Sequence, residues 1–441
     1  MKRFFLTLAV CCFAYSMVSA ITPNKLLSRG VTALTSEGNT SYITDGSLTN
    51  WKQCTAKDIA LLIGEGADSL LITWESLGDC AWATDFTSGC SHSGTPLRNF
   101  KILTSANSTD GQDGDWDVAA VIENNPVMSR AVPINFSGKS WIRFVSEEEV
   151  GQILEIEAFD ISDNGNDTWF FMGTSISQMG LKQQETDSTI ADLIHARFPE
   201  HTPAMLRGGI GCINSTEVVS HISDYLKYAG NVNFWAIEMG TNDAWGGGDW
   251  NAENFRKNMQ TIIDSAKANG ITPVLARIIA TDPNKANWQV NPKFLQIIDE
   301  LTESNNLPKG PDFFSFFSEH PELLASDGVH PNGETGGGQA MHHLWAEALA
   351  HLYADSESTD AKQKEAISIP QILVNRRQIS VSGLSGSTCL MQITSMNGNV
   401  LETHSLSKNN SSAVTNVPKG NYIVTIKASE CSISSKVFIG E

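Results

Sequence analysis

Two ionisable side chains stand three residues apart in a segment that has no helix or strand pattern of its own. The segment, SDGVHPNGETGGG, holds Asp327 and His330 among glycines and a proline. Residues in such turn-rich segments seldom pack a core, whereas binding and catalytic side chains are often on loops. An imidazole that takes up a proton needs a carboxylate to fix its tautomer and stabilise the imidazolium. We therefore interpret the pair as a general base with its orienting carboxylate, which together require a nucleophile.

A serine at the end of an apolar run could supply that nucleophile. The stretch FFMGTSISQMG predicts a strand followed by a helix, with Ser175 at the turn between them. A serine hydroxyl is a poor nucleophile until a neutral imidazole takes its proton, which gives His330 a partner. Because a serine at a helix start is in most cases only an N-cap, Ser175 alone is a weak signal.

A third polar side chain follows another apolar run. In IEMGTNDAWGGGDW, Gly240 permits a sharp turn after the predicted strand, and Asn242 can then present its amide N–H where the serine would attack. The alternative is an Asx-turn, which is common for asparagine after glycine. The three polar features each follow a predicted strand or precede the last predicted helix, a coincidence that chance would rarely produce.

The elements that must position these side chains alternate between strands and helices. From residue 166 to residue 354, apolar runs such as NVNFWAIEMG and ITPVLARIIA alternate with amphipathic runs such as AENFRKNMQTIIDSAKANG. This predicts an α/β domain with a parallel sheet, whose loops at the carboxyl ends of the strands carry ligands and catalytic groups. Residues 21–163 show short apolar or alternating runs between turn residues, which predicts a β-sandwich.

The order of these motifs resembles that of the SGNH hydrolases, also called GDSL-type esterases. The family's blocks Gly-Asp-Ser-Leu/Ile, Gly-x-Asn-Asp and Asp-x-x-His correspond, in that order, to residues 173–176, 240–243 and 327–330. Thr174 stands in place of the usual aspartate. In RGGIGCINST, the place of the family's oxyanion-hole glycine falls on Cys212, with Gly211 beside it. The resemblance spans the α/β domain and implies a three-layer α/β/α fold.

The resemblance implies hydrolysis of an ester through an acyl-enzyme. Ser175 would attack the ester carbonyl with His330 as base and Asp327 as its orienting group. His330 would then protonate the leaving alcohol and activate the water that hydrolyses the acyl-enzyme. The N–H groups expected in the oxyanion hole belong to Ser175, Gly211 or Cys212, and Asn242. This chemistry needs no metal and no other cofactor.

Aromatic and histidine side chains also lie near these motifs in the sequence. Trp245 and Trp250 follow the Gly-x-Asn-Asp block, where they could form a stacking wall for a sugar ring or pack into the core. His342, His343 and His351 fall on the last predicted helix. No glutamate stands between a histidine pair in metalloprotease spacing, so we interpret these histidines as surface or packing residues.

The first twenty residues resemble a secretory signal peptide. MKRFFLTLAVCCFAYSMVSA has a basic start, an apolar run and a small-residue cleavage site. A lipoprotein anchor at Cys11 fits less well, because Val10 is large for the position before that cysteine. No later stretch approaches the roughly 18 apolar residues of a membrane span. Removal of the signal takes away Lys2 and Arg3 and changes the formal net charge from −19 to −21, which argues against a nucleic-acid partner.

The end of the chain indicates a further module. The polar stretch at residues 355–366 predicts a linker, because it has too little apolar content to join a core. Residues 367–441 are β-rich, with a predicted hairpin at Asn397-Gly398, and resemble the C-terminal sorting domain of the type IX secretion system. That resemblance implies the secretion machinery as a partner. The alternative is an accessory or sugar-binding sandwich.

Export would permit disulfides among the cysteines that follow the signal. These are Cys54, Cys80, Cys90, Cys212, Cys389 and Cys431. None has the spacing of a metal site. Cys80 with Cys90 and Cys389 with Cys431 are the first pairs to test, with the other two cysteines free, and the sequence leaves the pairing open.

The N-terminal β-sandwich resembles a galactose-binding-like, discoidin-type jelly roll of the kind often attached to carbohydrate-active enzymes. The parts that carry this likeness are ITDGSLTNW, FKILTSANSTDGQDGDWDVAAVIEN and SWIRFVS. Together with export and the nearby tryptophans, it predicts a secreted carbohydrate esterase that removes acetyl groups from a plant polysaccharide such as xylan. The alternatives are a lipase or other small-ester esterase, a feruloyl-type esterase, and a catalytically inactive carbohydrate-binding protein.

Overall fold

The chain divides into two compact units, residues 1–359 and 360–441. The computed structural model describes residues 21–48, 54–78, 82, 90, 94–146, 152–182, 188–354, 371–375, 377–382, 389–395, 399–407, 412–427 and 432–439. The predicted signal peptide and the predicted linker lie outside these residues. Among the helices that are described, none is long and apolar enough to cross a membrane.

The first part of the larger unit is a β-sandwich. Its strands are β1 Lys25–Leu26, β2 Leu34–Thr35, β3 Asp58–Leu62, β4 Ser69–Ser76, β5 Phe100–Ser105, β6 Asp117–Ile122, β7 Ser129–Asn135, β8 Trp141–Val145 and β9 Ile153–Asp160. They form two antiparallel sheets in the orders β1-β9-β4-β7 and β2-β3-β8-β5-β6. Side chains of both sheets, among them Ile72, Trp74, Phe144 and Ile156, share one buried core. The predicted sandwich is therefore confirmed.

The second part of the larger unit alternates strands with helices. Its elements are β10 Thr168–Gly173, α1 Ser175–Gly180, α2 Ile190–Arg197, β11 Ala204–Gly209, α3 Ser215–Ser220, α4 Ile222–Ala229, β12 Phe234–Glu238, α5 Ala252–Ala268, β13 Thr272–Arg277, α6 Pro283–Ala286, α7 Pro292–Ser304, β14 Lys309–Asp312, α8 Phe313–Glu319, a 3₁₀ turn at Pro321–Leu323 and α9 Gly337–Ala354. The five strands pair in parallel, in the order β11-β10-β12-β13-β14.

Both faces of the sheet are buried at its central strands β10, β12 and β13, which explains why these strands are nearly continuous apolar runs. Along β10, Phe170 and Met172 join the core on one face, whereas Trp169 and Phe171 join the core on the other. Helices α3, α4, α5 and α7 cover the first face, and α1, α2, α8 and α9 cover the second. This is the predicted three-layer α/β/α arrangement.

The strand order fixes where a site can form. The chain enters the sheet at β10, adds β11 on one side and then places β12 on the other side of β10. The connection after β10 therefore leads to one side of the sheet, towards β11, and the connection after β12 leads to the other side, towards β13. A crevice opens between them at the carboxyl ends of β10 and β12. The turns after β10, β11 and β12 carry three of the four sequence motifs, so the fold brings these motifs together.

The smaller unit is a second β-sandwich. Its strands are β15 Gln371–Asn375, β16 Gln378–Ser382, β17 Cys389–Ser395, β18 Val400–Leu406, β19 Ser412–Val414, β20 Gly420–Lys427 and β21 Ser432–Ile439. They form the sheets β15-β16-β19 and β18-β17-β20-β21 around a core that includes Met391, Val424 and Ile426. Strands β17 and β18 pair antiparallel on either side of Asn397-Gly398, as the predicted hairpin requires, although these two residues lie outside the described part.

Candidate active site

A continuous hydrogen-bonded chain joins three of the side chains that the sequence singles out. His330 Nε2 lies 2.8 Å from Ser175 Oγ, and His330 Nδ1 lies 2.6 Å from Asp327 Oδ2. Burial raises the pKa of the Asp327 carboxyl, but hydrogen bonds from the His330 ring and from the N–H groups of Val329 and His330 outweigh this, and its pKa lies below the ordinary value. Asp327 is therefore ionised at neutral pH, and by accepting a hydrogen bond it can keep a proton on Nδ1 of His330.

The loop that carries the base is shaped by its own carboxylate. Asp327 Oδ1 accepts hydrogen bonds from the N–H groups of Val329 and His330, at 2.9 and 3.1 Å, so one oxygen shapes the turn while the other binds the ring. The carbonyl of Gly328 accepts a hydrogen bond from the N–H of Asp282, which fastens the loop to the segment before α6. The carbonyl of His330 accepts a hydrogen bond from the N–H of Ala325 at 2.8 Å, so backbone contacts hold the loop on both sides of Val329.

Ser175 stands at the first position of α1, directly after β10. Thr174 is the N-cap, and its Oγ1 accepts a hydrogen bond from the N–H of Ile176 at 3.2 Å. The threonine that replaces the family's aspartate therefore still caps the helix, as either residue type can. The Ser175 side chain is left free to face His330, and its N–H belongs to the first helical turn, which has no intrahelical acceptor.

A buried glutamate, which the sequence reasoning missed, anchors this turn. Glu238 ends β12, and its Oε2 accepts hydrogen bonds from the Thr174 N–H, the Thr174 hydroxyl and the Ser177 hydroxyl at 3.0–3.2 Å. Burial raises the pKa of Glu238 to about 7, against the lowering effect of these hydrogen bonds. A charged residue within the apolar run NVNFWAIEMG was the available signal, because a buried charge requires dedicated partners.

Glu238 should make the stability of the protein fall as the pH rises. Since its folded-state pKa lies above the unfolded value of about 4.5, the folded protein binds more protons between these two pH values, and stability is lost as the pH rises through them. The effect is about 3 kcal/mol. Glutamine does not titrate, so we expect the difference in melting temperature, Glu238→Gln minus wild type, to become more positive from pH 5 to pH 9. The exposed Glu65→Gln serves as control, and a difference that does not change with pH would contradict the prediction.

Asn242 joins the turn after β12 to the turn after β11. Its Nδ2 donates a hydrogen bond to the carbonyl of Ile213 at 2.8 Å, which leaves the second N–H of the amide available. The sharp turn before it depends on Gly240, where φ is +128° and a Cβ would lie 2.4 Å from the Ile278 side chain. Asp243 is buried and accepts hydrogen bonds from the N–H and hydroxyl of Ser215, which fixes the start of α3.

Cys212, one of the predicted oxyanion-hole donors, has a glycine-like backbone conformation. Its φ is +62°, in the left-handed region that side chains with a Cβ seldom adopt. A disulfide to Cys90 of the N-terminal sandwich accompanies this conformation. The expectation that Cys212 is free and the expected pairing of Cys80 with Cys90 are therefore both wrong.

The physical reason for this error is that proximity in sequence does not decide disulfide pairing. Cys90 and Cys212 are 122 residues apart, and folding brings the β4–β5 connection of the sandwich to the turn after β11. Cys54 is buried and forms no disulfide with any cysteine that the structure describes. Cys80 and Cys431 lie outside the described residues, so a Cys389–Cys431 pair stays a prediction.

The predicted tryptophans are surface residues. The exposed fraction is 52% for Trp245 and 81% for Trp250, so neither packs into the core. The ring of Trp245 lies against that of Trp288, with 5.1 Å between centroids. Trp288 was not predicted. Its carbonyl accepts a hydrogen bond from the Thr281 hydroxyl, next to the contact between Asp282 and the base loop. Trp288 therefore belongs to a segment that touches that loop, and Trp245 packs against it from the turn after β12.

One match to a known family covers the end of the chain. Residues 375–440 match the family model described as the secretion system C-terminal sorting domain. The predicted resemblance to such a domain is therefore confirmed. The match indicates that the protein is secreted or exported to the cell surface.

Comparisons of the whole chain give distant similarities. Similar solved structures include a lipase/acylhydrolase from Enterococcus faecalis (17% identity, TM-score 0.35, 42% of this chain and 95% of that chain covered). An acetyl-xylooligosaccharide esterase from Geobacillus is 16% identical, with a TM-score of 0.33 and coverage of 45% and 97%. An acetyl xylan esterase is 22% identical, with a TM-score of 0.34 and coverage of 41% and 98%. No curated protein matches the sequence. At such low values, the function has to be derived from the site itself.

Proposed function

We propose that this protein is an exported serine esterase with Ser175 as nucleophile, His330 as general base and acid, and Asp327 as the orienting carboxylate. The observation that carries the proposal is the hydrogen-bonded chain from Asp327 through His330 to Ser175. These distances lie within the range over which a proton can pass from a hydroxyl to an imidazole. The three residues come from two separate loops at the carboxyl end of a parallel sheet, where such folds place reacting groups.

The first half of the reaction acylates the enzyme. Ser175 Oγ attacks the ester carbonyl carbon while its proton moves to His330 Nε2, and ionised Asp327 stabilises the resulting imidazolium. The tetrahedral intermediate then breaks its bond to the alkoxide, which takes the proton from Nε2 and leaves as an alcohol. The acyl group remains on Ser175.

The second half regenerates the enzyme. Water attacks the acyl carbonyl carbon while His330 Nε2 takes one of its protons. The new tetrahedral intermediate expels Ser175 Oγ, which recovers the proton from Nε2. The carboxylic acid departs, and the hydrogen-bonded chain is restored without any net change in the protein.

The negative oxygen of each intermediate requires N–H donors that are already in place. The proposed donors are the N–H groups of Ser175 and of Cys212 or Gly211, and the second amide N–H of Asn242. The hydrogen bond between Asn242 and the Ile213 carbonyl ties the turn after β12 to the turn after β11. The disulfide from Cys90 tethers the turn after β11 to the sandwich. Removal of one such donor typically costs about 3 kcal/mol of transition-state stabilisation.

The two departures from the family pattern do not favour an inactive protein. Thr174 performs the capping role at the nucleophile turn and joins it to Glu238. Cys212 adopts a left-handed backbone conformation that glycine also adopts readily. Because both positions keep the local geometry, the catalytic function is better supported than the role of a non-catalytic carbohydrate-binding protein.

We propose acetyl groups on a plant polysaccharide such as xylan as the substrate. The exposed ring of Trp245 and the partly buried ring of Trp288 beside it, near the base loop, offer a surface on which a sugar ring can stack. Trp250 is exposed on the same segment after Asn242 and is a further candidate for sugar stacking. The sorting domain indicates export, which we propose is carried out by the type IX secretion machinery. An exported enzyme can meet a polysaccharide outside the cell. Esters of small alcohols and feruloyl esters are the alternative substrates.

Acetate release tests this proposal. The protein without its signal should release acetate from acetylated xylan and from 4-nitrophenyl acetate. Trp245→Ala should raise the KM for xylan several-fold and leave hydrolysis of the small ester nearly unchanged, since a stacking contact contributes about 1 kcal/mol. Activity on 4-nitrophenyl acetate alone would remove xylan from the proposal, whereas inactivity on both esters would remove the esterase.

A further inference from the structure

A cavity of about 350 Å³ lies between the N-terminal sandwich and the α/β domain. One wall is the outer face of the sheet β1-β9-β4-β7. On this face Glu75 is the cross-strand partner of Glu155, and Thr73 is the partner of Glu157. Because side chains alternate along a strand, these four point away from the sandwich core, which holds their neighbours. The volume is within the usual range for small-molecule sites.

The opposite wall belongs to the α/β domain and is partly charged and partly apolar. Arg207 of β11 and His342 of α9 line the cavity, and both are buried. Phe171, Leu181 and Met205 provide apolar surface beside them. At its other end the cavity reaches solvent, since Arg29 has 41% of its side chain exposed. A ligand can therefore enter from one side and meet buried polar groups at the other.

Two ion pairs account for most of the charged groups of the cavity. Arg207 forms an ion pair with Glu75, and Arg29 forms one with Glu157. Burial, and next the neighbouring Glu157, raise the pKa of Glu155 to about 9, so this carboxyl is neutral at pH 7. Burial lowers the pKa of His342 to about 4, so its ring is neutral as well. The exposed Asp192 adds one further carboxylate near Arg29, whereas Glu155 and His342 offer hydrogen bonds without charge.

Several buried polar atoms of these walls have no partner among the described residues. They are Arg207 Nε and Nη1, Glu155 Oε2 and His342 Nε2. His342 Nδ1 accepts a hydrogen bond from the N–H of Ile190, so its proton is on Nε2, which is a donor. A buried polar group without a partner destabilises the folded protein. A ligand that offers both acceptors and donors would remove this cost.

The charged groups of the cavity walls indicate which chemical class of ligand fits. A cation would meet the guanidinium groups of Arg29 and Arg207, and an anion would meet the carboxylates of Glu75 and Glu157. A neutral ligand with several hydroxyl groups avoids both repulsions. Its hydroxyls can accept from Arg207 and His342 and can exchange hydrogen bonds with Glu155, while its C–H surface packs against the apolar wall.

We propose that this cavity is a second binding site, for a neutral saccharide of one or two rings. It is separate from the candidate active site, since its lining includes none of Ser175, Asp327 and His330. The walls come from both the sandwich and the α/β domain, so a bound saccharide contacts both. The proposal is independent of the esterase chemistry, because the ligand carries no ester.

Calorimetric titration of the protein without its signal tests the site. The probes are xylose, xylobiose, glucose and galactose, none of which is an ester. At least one should bind, with a Kd near or below 1 mM. His342→Phe removes a donor from the deep wall at similar volume and should weaken binding about tenfold or more. Met205→Trp should block the cavity and abolish binding.

A matched control lies on the same helix. His343 is the neighbour of His342, is exposed and does not line the cavity, so His343→Phe should bind the saccharide as wild type does. Hydrolysis of 4-nitrophenyl acetate by each variant shows that the variant is folded. If the wild type itself did not hydrolyse this ester, the proposed esterase function would fail, and the melting temperature would serve as the folding control for the saccharide titrations instead. Equal binding by wild type and His342→Phe, or binding of none of the four saccharides, would overturn the second site.

Discussion

Replacing Ser175 with alanine is expected to lower kcat for 4-nitrophenyl acetate on the order of 10⁶-fold. The change removes the attacking oxygen, for which no nearby group substitutes, because His330 Nε2 is directed at Ser175 Oγ. The helix should form normally, because its cap is Thr174 and the Ser175 N–H remains. Steady-state kinetics with the purified variant provide the measurement.

The matched control for this variant is Ser188→Ala. Ser188 is exposed and precedes the cap of α2, so its loss should leave kcat unchanged. Ser175→Ala should also keep the wild-type melting temperature within a few degrees. If Ser175→Ala retained more than about a tenth of wild-type kcat, a different residue would be the nucleophile.

Asp327→Asn should lower kcat about 10⁴-fold. The amide can still accept the hydrogen bonds from Val329 and His330 through Oδ1, so the loop keeps its shape. Its Nδ2 is a donor, however, and would face His330 Nδ1 in the place of Asp327 Oδ2, which accepts the hydrogen bond in the wild type. The imidazole is then driven to the tautomer with its proton on Nε2, which cannot take a proton from Ser175.

The kinetics of Asp327→Asn can be separated from a simple loss of folding. Glu334→Gln changes an exposed carboxylate of the same loop and should keep full activity. A misoriented base predicts a fall in kcat with a nearly unchanged KM, since substrate contacts are retained. If Asp327→Asn and Glu334→Gln each lost activity in proportion to a fall in melting temperature, the role of Asp327 would be structural instead.

The fold and the three catalytic candidates could be predicted from the sequence because each depends on local patterns. The alternation of apolar strands and amphipathic helices predicted the parallel sheet, and parallel strands place their following loops at one edge. Ser175 follows a predicted strand directly, and Asp327 and His330 lie in the loop before the last helix. Their proximity follows from topology, without any knowledge of side-chain contacts.

Other features could not be predicted because they depend on contacts between distant parts of the chain. The partner of Cys212 is decided by how the sandwich docks onto the α/β domain, which no spacing between cysteines encodes. Trp288 follows a short helix in a connection whose path is irregular. The role of Glu238 depends on the pairing of β10 with β12, which brings its carboxylate to the nucleophile turn.

The central claim is that Ser175 is activated by His330, and covalent labelling tests it most directly. A serine-directed fluorophosphonate should add one phosphonyl group to the intact protein, and peptide mass spectrometry should locate it on Ser175. Labelling should be much slower in His330→Ala, since the hydroxyl then lacks its base, and absent in Ser175→Ala. A protein that remained unlabelled, or was labelled equally fast in His330→Ala, would contradict the account.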